Sequence, residues 1–188
     1  MIPNELVITK AEEGNVKWIE DAANQGNPLA QWKYGDWCEY GDYGITKSLN
    51  EAFKWYIKSA NQGYAPAQFA VGECYYNGQV TPQMEAESNI TDIKNSFGKA
   101  LYWFKKAAGQ GYADAQMRLP DTQLRYGTFL YENYLQEVIT ESKPEDKRLE
   151  DACKLITTAF DSNKLSANNQ SVAKEILSQI YERLKTAP

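Results

Sequence analysis

The chain has 188 residues, of which 43% are hydrophobic and 13% aromatic. This is enough apolar material for one packed domain or one short array of repeats. It carries 25 acidic and 20 basic residues, a formal net charge of −5, without a basic cluster. Nucleic acid is therefore a poor candidate partner, and a basic protein is a better one.

No apolar stretch of about 18 residues occurs, so membrane insertion is not expected. The N-terminus lacks the pattern of a signal peptide, which favours a cytoplasmic location.

The residues for common catalytic chemistry are missing. The chain contains no histidine, which excludes Ser–His and Cys–His nucleophilic catalysis and zinc sites that need imidazole. The cysteines at 38, 74 and 153 are widely spaced, and we expect free thiols rather than a metal site or a disulfide. Neighbouring acids such as Glu12 and Glu13 are typical of a solvated helix face. The sequence therefore predicts no enzyme, no cofactor and no metal.

One phrase occurs three times along the chain. In each copy a tryptophan is followed by a Gln-Gly pair and then by an Ala-Gln pair at the same offsets, over residues 18–31, 55–68 and 103–116. We call this segment the repeat phrase. Repetition at a period of roughly 20–50 residues indicates a solenoid built of stacked units, which works through an extended binding face.

Each copy predicts two helices. In the first copy they cover about 15–25 and 28–40. In the second, Ser48 caps a helix that stops at Gly63, and another begins near Pro66 and ends at about residue 77. The third copy is preceded by extra residues in a loop over about 79–94. There Pro120 replaces the glycines of the earlier second helices, which predicts a helix break and a new helix from Asp121 to about 139.

The last part of the chain carries no repeat phrase. Apolar residues at helical spacing predict two further helices, around 149–160 and 172–184. We therefore expect three repeats within residues 1–127, at about 15–41, 48–78 and 96–127 with the inserted loop 79–94, and a helical C-terminal cap over 128–188.

The phrase resembles a known family. The pattern Ala-x-x-Trp-[Tyr/Phe]-x-Lys-[Ser/Ala]-Ala-x-Gln-Gly at 52–63 and 100–111, followed by Ala-Gln at 67–68 and 115–116, is similar to the Sel1-like repeat, a relative of the tetratricopeptide repeat. The resemblance implies an all-α fold, a right-handed α-solenoid of stacked helix hairpins. It also implies an adaptor or scaffold protein.

The resemblance suggests a binding face as well. In related solenoids the first helix of each hairpin lines the concave side, and beside its core face lies a face that varies between the copies here. We expect a partner to bind there, with apolar centre and polar surround formed by Phe53, Ile57, Leu101, Glu20, Asn24, Asn61 and Lys105. The alternative is that Phe53 and Leu101 pack between repeats.

The tryptophans of the phrase have a simpler interpretation. Trp18, Trp55 and Trp103 occupy the same repeat position, and we expect them to lie in the core. Trp37 has no large equivalent in the other copies. It either covers the N-terminal segment or binds a partner.

These observations predict non-enzymatic protein binding. The most concrete version is a small cytosolic inhibitor or immunity protein that neutralises a toxin or effector with a basic surface. One short array, an acidic balance and no export signal support it. A signalling or assembly adaptor is the alternative, and an enzyme acting on a small molecule is a remote one.

Overall fold

A computed structural model describes residues 2–86, 95–141 and 147–186, and every regular element in these ranges is helical. The all-α prediction is confirmed. The contacts divide the chain into two compact units, residues 1–113 and 114–188, and each is described by itself. The predicted boundary at 127/128 falls inside a helix and stays a prediction.

The first unit is a series of short helices joined by tight turns. They are α1 (Asn4–Glu12), α2 (Val16–Asn24), α3 (Pro28–Tyr40), α4 (Leu49–Asn61), α5 (Ala65–Tyr76), the single-turn α6 (Pro82–Glu85) and α7 (Ser96–Gly109). The predicted hairpins α2–α3 and α4–α5 are present, with bounds within about two residues of expectation. Helix α1, which buries Val7 and Ala11, was not predicted.

Side-chain caps and glycines set the helix ends. Ser48 Oγ accepts the Glu51 backbone N–H at 3.3 Å, as its capping-box spacing predicts. Asn27 Oδ1 accepts from the Ala30 N–H at 2.9 Å and so opens α3. The glycine of each Gln-Gly pair follows a first helix with φ between 85° and 92°, a conformation that costs other residues energy. The phrase therefore specifies a first helix, a glycine in the left-handed conformation that ends it, and the start of the second helix.

The hairpins stack because small residues face large ones. Gly35 of α3 lies under the Tyr56 ring of α4, and Gly72 of α5 lies under the Phe104 ring of α7. A Cβ at Gly72 would lie 2.5 Å from Phe104 Cε1, closer than packed carbon atoms approach. The residue after each phrase tryptophan is buried, and these residues are Ile19, Tyr56 and Phe104. This position forms the core of the stack.

The glutamines of the phrase tie one repeat to the next. Gln68 is buried and donates from Nε2 to the Ala60 carbonyl at 3.2 Å, while its Oε1 accepts from Gln110 Nε2 at 2.8 Å. One repeat earlier, Gln31 donates to the Ala23 carbonyl and accepts from Gln62. The glutamines of the phrase therefore form a ladder of hydrogen bonds between repeats, in addition to the packing contacts of the phrase.

We expect Gln110→Ala to lower the free energy of unfolding by about 1 kcal/mol, because it leaves the buried Gln68 oxygen without its donor. Gln25 occupies the same position in the first copy, and its side chain makes no hydrogen bond within the described residues. Gln25→Ala is therefore the matched control and should change stability by less than about 0.5 kcal/mol. Urea denaturation followed by circular dichroism measures both, and equal effects would contradict the ladder.

The described part of the inserted loop, residues 79–86, belongs to the first unit and packs against its helices. Met84 of α6 is buried, and Glu85 pairs with Lys99 of α7, whose side chain is itself buried. The Lys99 ammonium also lies 5.6 Å from the centre of the Tyr75 ring. The rest of the predicted loop lies outside the described residues.

The second unit contains α8 (Ala113–Glu141), α9 (Lys147–Asp161) and α10 (Ala167–Thr186). The predicted break at Pro120 is wrong, because α8 continues through it. Proline removes one backbone hydrogen bond, and the remaining bonds and packing of a 29-residue helix outweigh that loss. The three helices share one core in which Gly127 lets Ile156 approach closely.

Candidate functional site

The three apolar residues expected at the binding face are buried. Phe53 is 0% exposed, Ile57 3% and Leu101 4%, and the rings of Phe53 and Tyr75 lie nearly perpendicular with their centres 5.8 Å apart. The expectation that they form the centre of an interface is therefore corrected. Tyr75 belongs to α5, the second helix of the same predicted hairpin. The alternative, that Phe53 and Leu101 pack between repeats, stays a prediction.

The four polar residues of that prediction remain accessible. Asn24, Asn61 and Lys105 are exposed, and Glu20 is half-buried. Glu20 lies beside Tyr34, whose pKa is raised mainly by burial and next by the charge of Glu20. Glu20 and Lys105 occupy the same repeat position as Ile57. The four polar residues remain a predicted binding surface, but the apolar residues expected at its centre are buried.

The phrase tryptophans divide into two groups. Trp103 is buried, as predicted, whereas Trp18 and Trp55 are half-buried. Trp55 contacts the Tyr34 ring at 5.4 Å, and the Lys58 ammonium lies 4.2 Å from its centre. Trp18 and Trp55 pack against the core at its edge, and the residue that follows each of them is fully buried. Trp37 is buried in a cluster that includes residues of α1, so it covers the N-terminal segment.

One accessible feature of the first unit is a groove between α3 and α5. Its volume is about 330 Å³, at the small end of the range for ligand sites. Aromatic rings and carboxylates line it, together with small residues, Asn77 and Gln79. We call it the acidic groove, and its aromatic and acidic lining residues are Trp32, Asp36, Glu39, Tyr40, Tyr56, Phe69, Glu73 and Tyr112.

Packing holds the aromatic part of the acidic groove in place. The Phe69 ring lies 5.3 Å from the Tyr112 ring and 5.5 Å from the Phe104 ring, measured between centres. The Tyr56 hydroxyl donates to Glu39 Oε2 at 2.8 Å. Burial, and then the charge of Glu39, raise the pKa of Tyr56. Tyr56 therefore remains a hydrogen-bond donor and fixes the Glu39 carboxylate at the groove.

Acidic side chains predominate in the lining of the groove. Among the described residues that line it there is no lysine or arginine, whereas three carry carboxylates. Burial raises the pKa of the Asp36 carboxyl, and Lys33 opposes that shift. The Lys33 ammonium lies 4.8 Å from the centre of the ring of Trp32, the residue before it in α3. The described lining of the groove is therefore mainly acidic, with Lys33 near enough to act on Asp36.

The sequence carries a signal for this groove that the predicted binding face did not include. Asp36, Glu73 and Asp121 occupy the same position in the three copies, four residues after the large residues Trp32, Phe69 and Met117. Residues four apart share a helix face. An acid recurring beside a large apolar residue marks one surface stripe of the second helices.

The buried thiols next to this region are poor nucleophiles. All three cysteines are free. Burial raises the pKa of Cys38 to about 11 and that of Cys74, which lines the groove, to about 12. Thiols react as thiolates, so neither side chain suits covalent chemistry near neutral pH.

We expect a thiol reagent at pH 8 to label Cys153, which is half-buried, well before Cys38 or Cys74, while all three react after denaturation. Fast labelling of Cys74 in the folded protein would contradict the buried position.

The raised pKa values of Cys38 and Cys74 also make stability depend on pH. Below the ordinary thiol pKa of 9.0 these thiols are protonated in both the folded and the unfolded chain. Above pH 9 the thiols of the unfolded chain ionise first, so the free energy of unfolding falls as pH rises from about 9 toward 12.

Within residues 2–86, 95–141 and 147–186, no group of histidine, cysteine or acidic side chains could hold a metal ion. In the same ranges no helix combines the length and apolar character needed to cross a membrane.

Comparison with known families agrees with the helix hairpins and the phrase. The Sel1 repeat family matches residues 28–64, 65–86 and 91–112. This chain contains three Sel1 repeats. The matched repeats are offset from the predicted repeats, because the first match begins at α3, the second helix of the first predicted repeat. Comparison with curated proteins gives no significant match.

Two solved structures resemble this chain. One is a Sel1 repeat protein from Oxalobacter formigenes, with 21% identity over 85% of this chain and 53% of the other, and a TM-score of 0.43. The second is a protective antigen of uropathogenic Escherichia coli strains with an SLR fold, with 21% identity, coverage of 89% and 48%, and a TM-score of 0.34. The chain thus spans about half the length of these proteins.

Proposed function

We propose that this chain binds another protein through the acidic groove and has no enzymatic activity of its own. Sel1 repeats generally serve as protein–protein interaction modules. The observation that carries the proposal is the groove between α3 and α5, where aromatic rings and three carboxylates lie together. Aromatic residues are enriched at the centres of protein interfaces, and charge complementarity speeds encounter with a partner.

The most concrete role is inhibition of the bound protein. An acidic chain of −5 net charge with an acidic groove fits a basic toxin or effector domain in the cytoplasm. One short array can occlude the working surface of such a domain by binding alone. The polar residues Glu20, Asn24, Asn61 and Lys105 extend the accessible surface of the first unit and would contribute contacts at its rim.

Affinity capture from the organism that encodes the chain tests this function. The tagged full chain should recover one protein in a stoichiometric complex, and adding the chain should abolish that protein's activity. Two different proteins recovered in one assembly, with their activities intact, would indicate an adaptor instead. Recovery of no protein above the level of an unrelated Sel1-like control would contradict protein binding.

A further inference from the structure

We infer that the single-turn helix α6 occupies a binding site of its own chain, and that a partner segment with the same two anchoring side chains can take its place. Those side chains are a methionine or a similar apolar residue and, directly after it, a carboxylate. The site lies against α4 and α7, and no residue of α6 lines the acidic groove. The inference therefore concerns a second site and goes beyond the proposed function.

Two adjacent side chains anchor α6. Met84 is 3% exposed, and the Glu85 carboxylate pairs with the Lys99 ammonium of α7. The other two residues of the helix are exposed. The Thr81 hydroxyl accepts the Met84 backbone N–H at 3.3 Å and closes the turn. An apolar side chain followed by a carboxylate is therefore the chemistry that holds this short segment in place.

The cation beneath α6 belongs to this site rather than to the repeat. Lys99 is 6% exposed, and lysine is almost never buried unless it is paired. The same repeat position holds Gly14 in the first copy and Glu51 in the second. The third copy is also the one preceded by the inserted residues that carry α6. The buried cation and the segment that supplies its carboxylate thus occur together in one copy.

Aromatic packing builds the floor of the site. The Lys99 ammonium lies 5.6 Å from the centre of the Tyr75 ring of α5. The Tyr75 ring in turn lies nearly perpendicular to the Phe53 ring of α4, with their centres 5.8 Å apart, and both rings are buried. The packed helices α4, α5 and α7 therefore form the site, and α6 supplies its occupant.

One donor near Lys99 has no acceptor while α6 is docked. The Trp103 side chain is 2% exposed, and its indole N–H makes no hydrogen bond within the described residues. Trp103 follows Lys99 by four residues in α7, and residues at this spacing share a helix face. A buried donor without an acceptor costs stability. An occupant with a further acceptor oxygen within reach of this N–H would gain a hydrogen bond that α6 does not make.

Few contacts hold α6, so it can open while the helices beneath it stay folded. Segments with few buried contacts open locally at a lower free energy than the core helices. The tether keeps the local concentration of α6 at its site high, on the order of mM for a short flexible link. A free segment with the same two side chains must compete with that concentration. Docked α6 therefore weakens binding of a partner segment, which makes it an autoinhibitory element.

A peptide titration of the full chain tests the inference. The probe is a fluorescein-labelled peptide with the sequence of residues 79–86, compared with the same peptide carrying glutamine in place of glutamate. The released variant, Met84→Ser with Glu85→Gln, removes both anchors of α6. We expect it to bind the probe saturably and at least about tenfold more tightly than the wild-type chain does, measured by fluorescence anisotropy. The glutamine peptide should bind at least about tenfold more weakly than the probe.

Two further variants assign the binding to the site. Met117→Ser with Glu12→Gln makes the same two replacements at exposed positions and should behave like the wild-type chain. Adding Lys99→Gln to the released variant should remove its preference for the peptide that carries the carboxylate. Circular dichroism melting verifies that each variant is folded.

Hydrogen exchange of the wild-type chain tests the opening of α6 without any substitution. The Met84 and Glu85 amides should have protection factors at least about tenfold lower than the interior amides of α4 and α7. The inference fails if these two amides exchange only together with those of α4 and α7. It also fails if the folded released variant shows no saturable binding, binds both peptides equally well, or binds the probe no more tightly than the wild-type chain does.

Discussion

Replacing Phe104 by alanine should lower the free energy of unfolding of the repeat unit by about 3–5 kcal/mol. Phe104 is fully buried, lies over Gly72 and contacts the Phe69 ring, which lines the acidic groove. Its removal deletes apolar burial and leaves a cavity between α5 and α7 that rigid helices fill only in part. Urea denaturation followed by far-ultraviolet circular dichroism measures the loss.

Tyr102 on the same helix is the matched control for Phe104. It is 37% exposed, and its ring packs mainly against the neighbouring Trp103 ring at 5.3 Å. Tyr102→Ala should therefore cost less than half as much as Phe104→Ala. Similar losses for the two variants would show that α7 does not present Phe104 to α5, and the packing of the stack would be wrong.

Gly72→Ala should destabilise the protein by about 1–3 kcal/mol, the usual cost of overpacking. The added Cβ would lie 2.5 Å from Phe104 Cε1, so the ring or the helix α5 must shift. Gly109→Ala makes the same change in α7 with no atom within 4 Å of the new Cβ. Because alanine is the better helix former by about 1 kcal/mol, the control should be neutral or stabilising.

Thermal melting of both glycine variants gives the comparison directly. Opposite signs are expected, with the melting temperature lowered for Gly72→Ala and unchanged or raised for Gly109→Ala. A stabilised Gly72→Ala variant would mean that α5 and α7 lie further apart than the structure places them.

Repetition made the hairpins predictable. Ser48, the Gln-Gly pairs and the Pro28 helix start are local signals that act through a few backbone hydrogen bonds, and α3 and α4 begin and end close to where those signals place them. Pro120 shows the limit of local reasoning. Its cost to a helix is a few kcal/mol, and packing along the long α8, which the local pattern does not reveal, outweighs it.

The candidate site was less predictable for a physical reason. Helical periodicity defines an apolar stripe, but it does not reveal which flank of the stripe the other helices cover. Phe53 and Leu101 lie on a covered flank, while Trp55 lies half-exposed beside it. The acidic groove combines residues from α3 and α5 that are far apart in sequence. Only the recurrence of an acid at positions 36, 73 and 121 pointed to it.

Hydrogen exchange of the full chain with and without its captured partner tests the central claim most directly. If the partner binds the acidic groove, the backbone amides of residues 32–40 in α3 and 66–77 in α5 should exchange more slowly in the complex. The exposed ends of α2 and α4 near Asn24 and Asn61 should change less. Protection confined to those ends, with α3 and α5 unchanged, would contradict the groove as the binding site.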